Sequence, residues 1–323
     1  MNSFGQAFHF TSFGESHGKA IGGIVEGVRA GSAIDLSSIR HELLRRAGKD
    51  TDSIGVSPRA IHEQDEVEWL SGVMETSEGL IALGTPIAFL IRNRDAHSDD
   101  YEWMKHNFRP GHADLTYQLK YGIRDHRGGG RASARETAAR VVAGSLARQE
   151  LLNRGITIEA RLTQIGSETD SSRFNAVLKE VQQAGDTIGG VVECRIHGLP
   201  AGVGEPIFDK LQARLAFAMM SINGCKGFSY GIGFDGVHQL GSQLYLNQDG
   251  TPFSAEDYNH SEGIYGGISD GADIVFHCAF KPAATLRRTY GGRHDCCIAV
   301  RAVPVVEAMT ALCLLDLLKI AED

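Results

Sequence analysis

The feature that most constrains the fold is a run of three glycines at residues 128–130, directly before the strongest helical pattern of the chain. Residues 132–153 carry apolar side chains at helical spacing, and Ser133 and Glu136 have the spacing of a capping box. Glycine permits backbone conformations closed to other residues, and the N–H groups at a helix start attract anions. We therefore predict an anion site built from main chain at this point.

This run belongs to a general excess of glycine. The chain has 39 glycines among 323 residues, about 12%, against a usual fraction of about 7%. It has only 8 prolines, and its 42% hydrophobic and 22% charged residues are ordinary for a globular protein. The extra glycines are therefore expected inside folded structure, where backbone approaches a neighbour or a ligand closely.

Arginines alternate with these glycines. The densest cationic stretch runs from residue 109 to residue 135, and its guanidinium groups are bidentate donors suited to phosphate and carboxylate. Neither the Walker A pattern nor the dinucleotide-binding glycine fingerprint is present. A solvated basic face is the alternative, but arginines interleaved with glycines ahead of an apolar helix favour an anionic ligand.

Residues 14–18 read Gly-Glu-Ser-His-Gly and match the nucleophile elbow of serine hydrolases, with Ser16 as nucleophile. An elbow needs a helix after it, whereas residues 21–28 have the composition of a strand. We therefore favour a glycine-flanked turn that presents His17. Histidine is the side chain best suited to proton transfer near neutral pH.

A third cluster, at residues 291–295, places Arg293, His294 and Asp295 just before a helix. A metal site made by His112, Asp114, His294 and Asp295 would lack the i, i+4 spacing typical of helical zinc ligands, so no metal is predicted. From the residues alone, the chain binds a phosphorylated substrate or cofactor, and the reaction stays open.

Charge and cysteine use exclude several classes of protein. A net charge of −8 disfavours binding to nucleic acid or to a membrane surface. The six cysteines show no C-x-x-C pair and are expected to be buried thiols in a reducing compartment. Without a recognisable signal peptide, and with charges interrupting the apolar residues 303–318, the chain is predicted to be cytoplasmic.

The periodicity predicts one domain, residues 1–323, that mixes strands and helices. The expected strands are residues 8–13, 21–28, 66–73, 87–92, 156–166, 189–198, 274–281 and two within 227–246. The expected helices are residues 36–46, 132–153, 172–184, 208–222 and 304–320, the last with Pro304 near its first position.

Eight motifs together closely resemble the chorismate synthase family, and they occur in the family's order over nearly the whole chain. They are G-E-S-H-G (14–18), R-P-G-H-A-D (109–114), K-Y-G-x-R-D (120–125), G-G-G-R-x-S-A-R-E-T (128–137), M-S-I-N (220–223), G-G-I-S (266–269), G-R-H-D (292–295) and R-A-V-P (301–304). Each motif is weak alone, but eight in sequence are highly specific.

The resemblance implies an activity and a fold. The activity is the anti-1,4-elimination of phosphate from 5-enolpyruvylshikimate-3-phosphate to give chorismate, with reduced FMN as cofactor and NADPH as a reductant of that flavin. The fold is α+β, a helical core sandwiched between antiparallel β-sheets, assembled as a homotetramer.

The resemblance also implies residue roles. His17, His112 and Asp295 would be catalytic: His17 protonates the leaving phosphate, His112 serves the flavin as an acid, and Asp295 helps to remove the substrate proton. Arginines would bind the substrate, and Arg45 would also contact NADPH: Arg45, Arg109 and Arg135. A larger set matches flavin-binding positions: Arg131, Ala132, Ser133, Asn223, Gly224, Gly266, Lys281, Pro282, Ala283, Ala284, Thr285 and Arg293.

The chain departs from the family pattern in places. The intervals at residues 166–177 and 281–293 are shorter than usual, and Thr51 stands where an arginine linked to nicotinamide contact is common. These departures bear on flavin affinity and on flavin reduction, and they spare His17, His112 and Asp295. The alternatives are a non-catalytic relative that binds flavin or a phosphorylated ligand, and a serine hydrolase.

Overall fold

The fold was analysed in a computed structural model of the chain, which describes residues 2–49, 56, 64–94, 102, 104–254, 258, 262–290 and 295–322. Its strands are β1 (Ser3–Phe4), β2 (His9–Phe13), β3 (Ala20–Glu26), β4 (Ala33–Ile34), β5 (Val67–Trp69), β6 (Val73–Thr76), β7 (Gly79–Ala82), β8 (Ile87–Arg92), β9 (Thr157–Ile165), β10 (Gly190–His197), β11 (Cys225–Tyr230), β12 (Ile264–Tyr265), β13 (Ile268–Ser269) and β14 (Ile274–Phe280). Its helices are α1 (Leu36–Ala47), α2 (Asp114–Tyr121), α3 (Thr137–Asn153), α4 (Phe174–Gln183), α5 (Leu211–Met220), α6 (Gly241–Tyr245), α7 (Arg287–Tyr290) and α8 (Ala299–Glu322).

The first large sheet has five antiparallel strands in the order β1-β2-β3-β8-β5. Its register places His9 opposite Glu26 and Ala20 opposite Arg92. The strands predicted at residues 8–13, 21–28 and 87–92 are confirmed within a few residues. The predicted strand at 66–73 is wrong in extent, because Gly72 has a positive φ of 74° and separates β5 from β6, which pairs with β7 in a small second sheet.

The second large sheet has four antiparallel strands in the order β11-β14-β10-β9. Buried and half-buried residues alternate along β10, because successive side chains of a strand point to opposite faces of the sheet. One face of this sheet therefore packs on the core. The three strands predicted at residues 156–166, 189–198 and 274–281 are confirmed.

Helices fill the space between the two large sheets. Helix α3 packs on β2 and β3 of the first sheet, α8 packs on β9 and β10 of the second, and the two helices pack on each other. A Cβ added at Gly144 of α3 would overlap Ala308 of α8, so glycine is what allows this close helix contact. The buried apolar residues form one core that includes both sheets. The predicted α+β sandwich is therefore confirmed.

Two of the sequence predictions fail for identifiable reasons. Helix α8 begins at Ala299, so Pro304 lies in its second turn, where proline removes one backbone hydrogen bond, and not near its first position. The second strand predicted within 227–246 is absent from these residues, because Gly231 and Gly233 adopt positive φ and end β11. A 3₁₀ helix, Gly233–His238, and α6 follow instead.

Candidate functional site

His17 lies in the turn that joins β2 to β3. Gly14, with a φ of 91°, begins the turn, and the Gly18 N–H donates to the Glu15 carbonyl at 3.0 Å. Both Ser16 and His17 are buried, and the Ser16 hydroxyl is 3.2 Å from His17 Nδ1. A tight turn between two antiparallel strands, with a serine of no exposed surface, excludes the strand-to-helix elbow of a serine hydrolase.

The three glycines bring two histidines together. Gly128, Gly129 and Gly130 all have positive φ, at 62°, 90° and 55°. A Cβ added at Gly128 would overlap the His17 ring, and one added at Gly129 would lie 2.9 Å from His112 Cε1. Both imidazoles therefore pack directly on this stretch of main chain, which only glycine can form.

The sequence interpretation of these glycines as the start of an α-helix is wrong. They lead into two short 3₁₀ turns, Gly130–Ala132 and Ala134–Glu136, and α3 begins only at Thr137. Ser133 caps the second of these turns through the Arg135 N–H, while Glu136 pairs with Arg140. The capping box therefore does not form, and the glycines make room for side chains instead of presenting a helix dipole.

His112 belongs to a buried charged cluster at the start of α2. Its Nδ1 lies 2.9 Å from Asp114 Oδ1 and 3.1 Å from Arg109 Nη2. Asp114 also accepts from Arg109 Nε at 2.8 Å and from the Arg109 N–H at 3.1 Å. Burial alone would raise the pKa of the Asp114 carboxyl, but its bonds with His112 and Arg109 hold that pKa well below the usual range.

The predicted cofactor residues around Lys281 reach the same place. Arg109 Nη1 donates to the Thr285 hydroxyl at 3.2 Å, and Lys281 Nζ donates to the Gly111 carbonyl. Burial, with the nearby Lys226 charge, lowers the pKa of the Lys281 ammonium. Between them, the carbonyl of Ala283 accepts from Thr187 at 2.9 Å. The segment that contains Pro282 and Ala284 is therefore held beside His112.

Arg135 lies in a second cluster, which the Asn93 side chain connects to the turn of His17. Its Nε donates to Asn93 Oδ1 at 3.0 Å and its Nη1 to Asp65 Oδ1. Asp65 Oδ2 accepts from Arg46 at 3.1 Å. Burial alone would raise the pKa of the Asp65 carboxyl, but Arg135 and Arg46 lower it. The cluster therefore holds a charged carboxylate between two guanidinium groups.

Asp295 joins this cluster through Arg301. Arg301 Nη1 donates to both Asp295 oxygens, at 3.2 and 2.9 Å, and its Nε donates to the Arg46 carbonyl at 2.9 Å. A continuous chain of contacts thus links Asp295 to Arg135 and, through Asn93, to the turn of His17. The described residues therefore connect His17 and Asp295, two of the three predicted catalytic residues.

Arg45 is the predicted substrate residue that the structure does not bring to the others. Its guanidinium group pairs with Glu42 at 2.6 Å and with Glu307 at 2.5 and 3.2 Å, and Arg148 bonds the same two carboxylates. Burial alone would lower the pKa of Arg45, but Glu307 and Glu42 raise it above its ordinary value. Its neighbour Arg46 is the α1 arginine that reaches Arg135.

Most of the predicted flavin residues are close to one another. Arg131 donates to the Ser12 hydroxyl and, at 3.2 Å, to the Gly14 carbonyl. Asn223 Nδ2 donates to the Ala132 carbonyl, next to Ser133, at 3.0 Å. The Gly224 carbonyl accepts from the Lys281 N–H at 3.0 Å, which joins this group to the Lys281 segment.

One buried polar atom in this group is suited to accept a hydrogen bond from a ligand. Among the described residues, none hydrogen-bonds Asn223 Oδ1, although the atom is buried. An unsatisfied buried acceptor is costly in a native structure, and a donor N–H of a bound cofactor would satisfy it. A cavity of about 970 Å³, in the size range of cofactor pockets, is lined by Gly129, Gly130 and Arg131, although not by Asn223 itself. The residues present therefore fit a bound flavin.

Gly266 is separated from these residues. Its turn lies at the start of α5, where the Leu211 N–H donates to the Gly267 carbonyl at 2.8 Å, whereas Asn223 follows the end of that helix. The ten residues of α5 span about 15 Å, and this length separates Gly266 from Asn223. Arg293 and Thr51 fall outside the described residues.

Several residues of the charged cluster have no role predicted from the sequence. Asn93, Asp65 and Arg46 complete the charged cluster, and Arg301 connects it to Asp295. The basic pair at residues 45 and 46 was a usable signal for Arg46, because adjacent helical side chains point in different directions and meet different partners. Asn93 and Asp65 carried no signal, since only strand pairing and packing bring them to Arg135.

The remaining sequence predictions concern metals, thiols and membranes. Within the described ranges, no group of three His, Cys, Asp or Glu side chains is arranged to hold a metal ion. All six cysteines are buried and free, as expected. No described helix is long and apolar enough to cross a bilayer, and residues 303–318 lie inside α8, which packs on α3 and on the second sheet.

Comparison with known proteins supports the same class of enzyme. The family model described as chorismate synthase matches residues 8–318. A chorismate synthase of Azobacteroides pseudotrichonymphae genomovar. CFP2 is 44% identical over 358 residues, covering 98% of each chain. One of Phocaeicola vulgatus is 45% identical over 357 residues, covering 98% of this chain and 97% of that protein.

A solved chorismate synthase crystal structure superimposes with a TM-score of 0.73 at 30% identity, covering 98% of this chain and 92% of the other. The helical layer between antiparallel sheets is thus the fold of a lyase. The chain belongs to the chorismate synthase family.

The comparison also bears on the short loops. The alignment with the Azobacteroides protein extends over 358 residues, whereas this chain has 323, so at least 35 aligned positions have no residue here. The chain therefore lacks segments that this relative contains, as the shortened intervals predict.

Proposed function

We propose that the chain converts 5-enolpyruvylshikimate-3-phosphate to chorismate and phosphate by anti-1,4-elimination, with reduced FMN as cofactor. The observation that carries the proposal is the packing of His17 and His112 on adjacent glycines, beside Arg109. Two proton carriers and a guanidinium group close together suit the loss of an anionic leaving group.

His17 is assigned to the leaving phosphate. Breaking the C–O bond leaves charge on the phosphate oxygen, and a proton delivered there lowers the barrier. His17 is buried, so that water competes poorly for that proton, and Gly128 holds its ring from behind. Arg135, one Asn93 side chain away, is assigned to the substrate's anionic groups.

His112 is assigned to proton transfer at the cofactor. Asp114 contacts its Nδ1, so that Nε2 is the nitrogen available toward the site. The same carboxylate orients Arg109 through three bonds, and this fixes the distance between cation and imidazole. Asp295, held by Arg301, is assigned to the substrate proton on the opposite face.

The flavin would be held by the group that includes Arg131, Ala132, Ser133, Asn223, Gly224 and the residues from Lys281 to Thr285. When bound and reduced, it supplies electron density to the substrate transiently as phosphate departs. In this chain Asn223 Oδ1 offers an acceptor, and Lys281 offers a cation beside Gly111.

An anaerobic assay with chemically reduced FMN and 5-enolpyruvylshikimate-3-phosphate tests the proposal. We expect equal amounts of phosphate and chorismate, and a loss of activity of about 10²–10⁴-fold in His17→Ala and His112→Ala, the usual contribution of general acid catalysis. His41→Ala is the matched control, because His41 is exposed on α1.

Folded protein that binds FMN and substrate by calorimetry but releases no phosphate would contradict the proposal. It would favour the non-catalytic relative, the alternative consistent with the missing segments.

Arg45, the residue linked to NADPH, is held by two carboxylates. We therefore propose that reduced flavin is supplied to the chain, and we expect no NADPH oxidation when NADPH and FMN are the only additions. Steady absorbance loss at 340 nm that depends on this protein would contradict this.

We also propose that residues 1–323 act as one domain in a cytoplasmic homotetramer that binds no nucleic acid. The net charge of −8 supports the last point, and exposed apolar side chains such as Ile207, Phe208 and Phe234 support association. Light scattering coupled to size-exclusion chromatography measures the mass, and a monomer at assay concentration would contradict the tetramer.

A further inference from the structure

Asn93 occupies a junction that the family motifs did not single out. It follows β8 directly, and its backbone N–H donates to the Lys19 carbonyl at 3.1 Å, which extends the pairing of β8 with β3. Its position is therefore set by the first sheet. The side chain leaves this rigid edge at the point where the turn of His17 returns to β3.

The Asn93 side chain bonds both ends of that turn. Nδ2 donates to the Glu15 carbonyl and to the Gly18 carbonyl, each at 2.9 Å, and these two residues bracket Ser16 and His17. The amide oxygen accepts from Arg135 Nε at 3.0 Å. Because two carbonyls can only accept, the amide orientation follows from its partners.

We propose that Asn93 is a positioning residue that clamps the turn of His17 and couples it to Arg135. The amide holds the imidazole against Gly128 and keeps the cation at a set distance from it. The proposal rests on the function proposed above for His17. The clamp itself is a property of the folded chain and can be measured without turnover.

Few side chains can replace this amide. An aspartate has nearly the same shape and still accepts from Arg135, but it places an oxygen against two carbonyl oxygens and donates to neither. Asn93→Asp therefore releases the turn while it preserves the bond to Arg135. Asn93→Ala removes both contacts.

The test is the rate at which diethyl pyrocarbonate acylates His17, followed peptide by peptide by mass spectrometry. His17 is only 6% exposed, so we expect slow modification in the wild type and a rise of about tenfold in Asn93→Asp. The exposed His41 and His238 are internal standards whose rates should not change.

A second measurement compares kcat and KM of Asn93→Asp with those of the wild type in the anaerobic assay. A displaced catalytic group costs about 10²-fold for a shift near 1 Å, so we expect kcat of Asn93→Asp to fall by about 10–100-fold. We expect KM to change by less than about threefold, because the bond to Arg135 survives.

Asn247→Asp is the matched control. Asn247 Nδ2 also donates to two oxygens, Thr251 Oγ1 at 3.1 Å and the Pro252 carbonyl at 3.4 Å, in an exposed turn. The same chemical change there should alter neither the His17 rate nor kcat. Near-ultraviolet circular dichroism verifies the fold of each variant, and Asn93→Ala replaces Asn93→Asp if that variant does not fold.

The outcomes separate this proposal from the proposed function. Faster acylation of His17 in Asn93→Asp supports the clamp even if the wild type shows no turnover, in which case only the proposed function fails. An unchanged acylation rate in folded Asn93→Asp overturns the clamp, whether or not kcat falls.

Discussion

Two charge clusters, each largely buried, lie around neighbouring arginines of α1, and they differ in what they connect. Arg45 joins Glu42, Glu307 and Arg148, two cations with two carboxylates, packed between α1, α3 and α8. Arg46 joins Arg135 and Arg301 with Asp65 and Asp295, three cations with two carboxylates among the described residues.

This difference indicates which cluster has a purely structural role and which one also contacts the candidate site. A balanced cluster between helices satisfies its own charges, and Glu307 also accepts from the Ala160 N–H at 2.8 Å. The second cluster reaches the turn of His17 through Asn93. We therefore expect the Arg45 cluster to contribute to stability alone, and the Arg46 cluster to contribute to the binding of an anionic substrate as well.

The largest expected effect is on stability. Glu307→Ala removes the buried carboxylate shared by Arg45 and Arg148 and leaves these two partly buried guanidinium groups with Glu42 alone. Breaking a buried ion pair costs about 3–5 kcal/mol, so the free energy of unfolding should fall by that amount in urea titrations. The fraction that stays folded should keep kcat/KM within about threefold. A loss of activity without a loss of stability would reverse the comparison.

Arg135→Ala should lower activity as well as stability, because Arg135 also pairs with the buried Asp65. Loss of a charged hydrogen-bond donor to the substrate lowers kcat/KM by about 10²–10³-fold in the anaerobic assay. The matched control is Arg161→Ala, since Arg161 pairs with Glu193 on the exposed outer face of the second sheet and is 72% exposed. Equal activity in the two variants would contradict the assignment of Arg135.

Gly128→Ala tests the contact between the glycine run and His17. The new methyl group overlaps the imidazole, so we expect kcat to fall by about 10²-fold. Gly31→Ala is the control, because Gly31 also has a positive φ, 80°, but has no described neighbour within 4 Å of an added Cβ. It should cost about 1 kcal/mol in backbone strain and leave kcat unchanged. Similar kinetics in both variants would show that only strain matters.

The smallest expected effect concerns acid stability. The pKa of Asp114 is lower in the folded protein than in the unfolded chain, where it is near 3.8. The ionised carboxylate therefore stabilises the fold above about pH 4, and this stabilisation is lost progressively as the pH falls below that value. Asp114→Asn should therefore show a weaker loss of stability below about pH 4 than the wild type. The measurement is thermal unfolding across pH 2–6. If the unfolding temperatures of the two proteins fell equally with pH below about pH 4, a lowered pKa of Asp114 would be contradicted.

Local patterns were enough to predict much of the fold. Helix α1 and strands β2, β8, β9, β10 and β14 follow from periodicity of apolar residues, because burial of one face imposes that spacing. The predictions failed where glycines changed the backbone: at Gly72, at Gly231 and Gly233, and at the 3₁₀ turns before α3. Positive φ at a glycine is decided by its surroundings and leaves no periodic trace in the sequence.

The sequence by itself determined the sandwich of helices and sheets, the family, and the two histidines with their arginines. Only the tertiary structure decided that Arg46 and not Arg45 reaches Arg135, since adjacent helical residues point about 100° apart and each meets different neighbours. It also decided what the three glycines do. They hold two imidazoles against the main chain, and this contact arises because the β2–β3 turn and the start of α2 meet there, far apart in sequence.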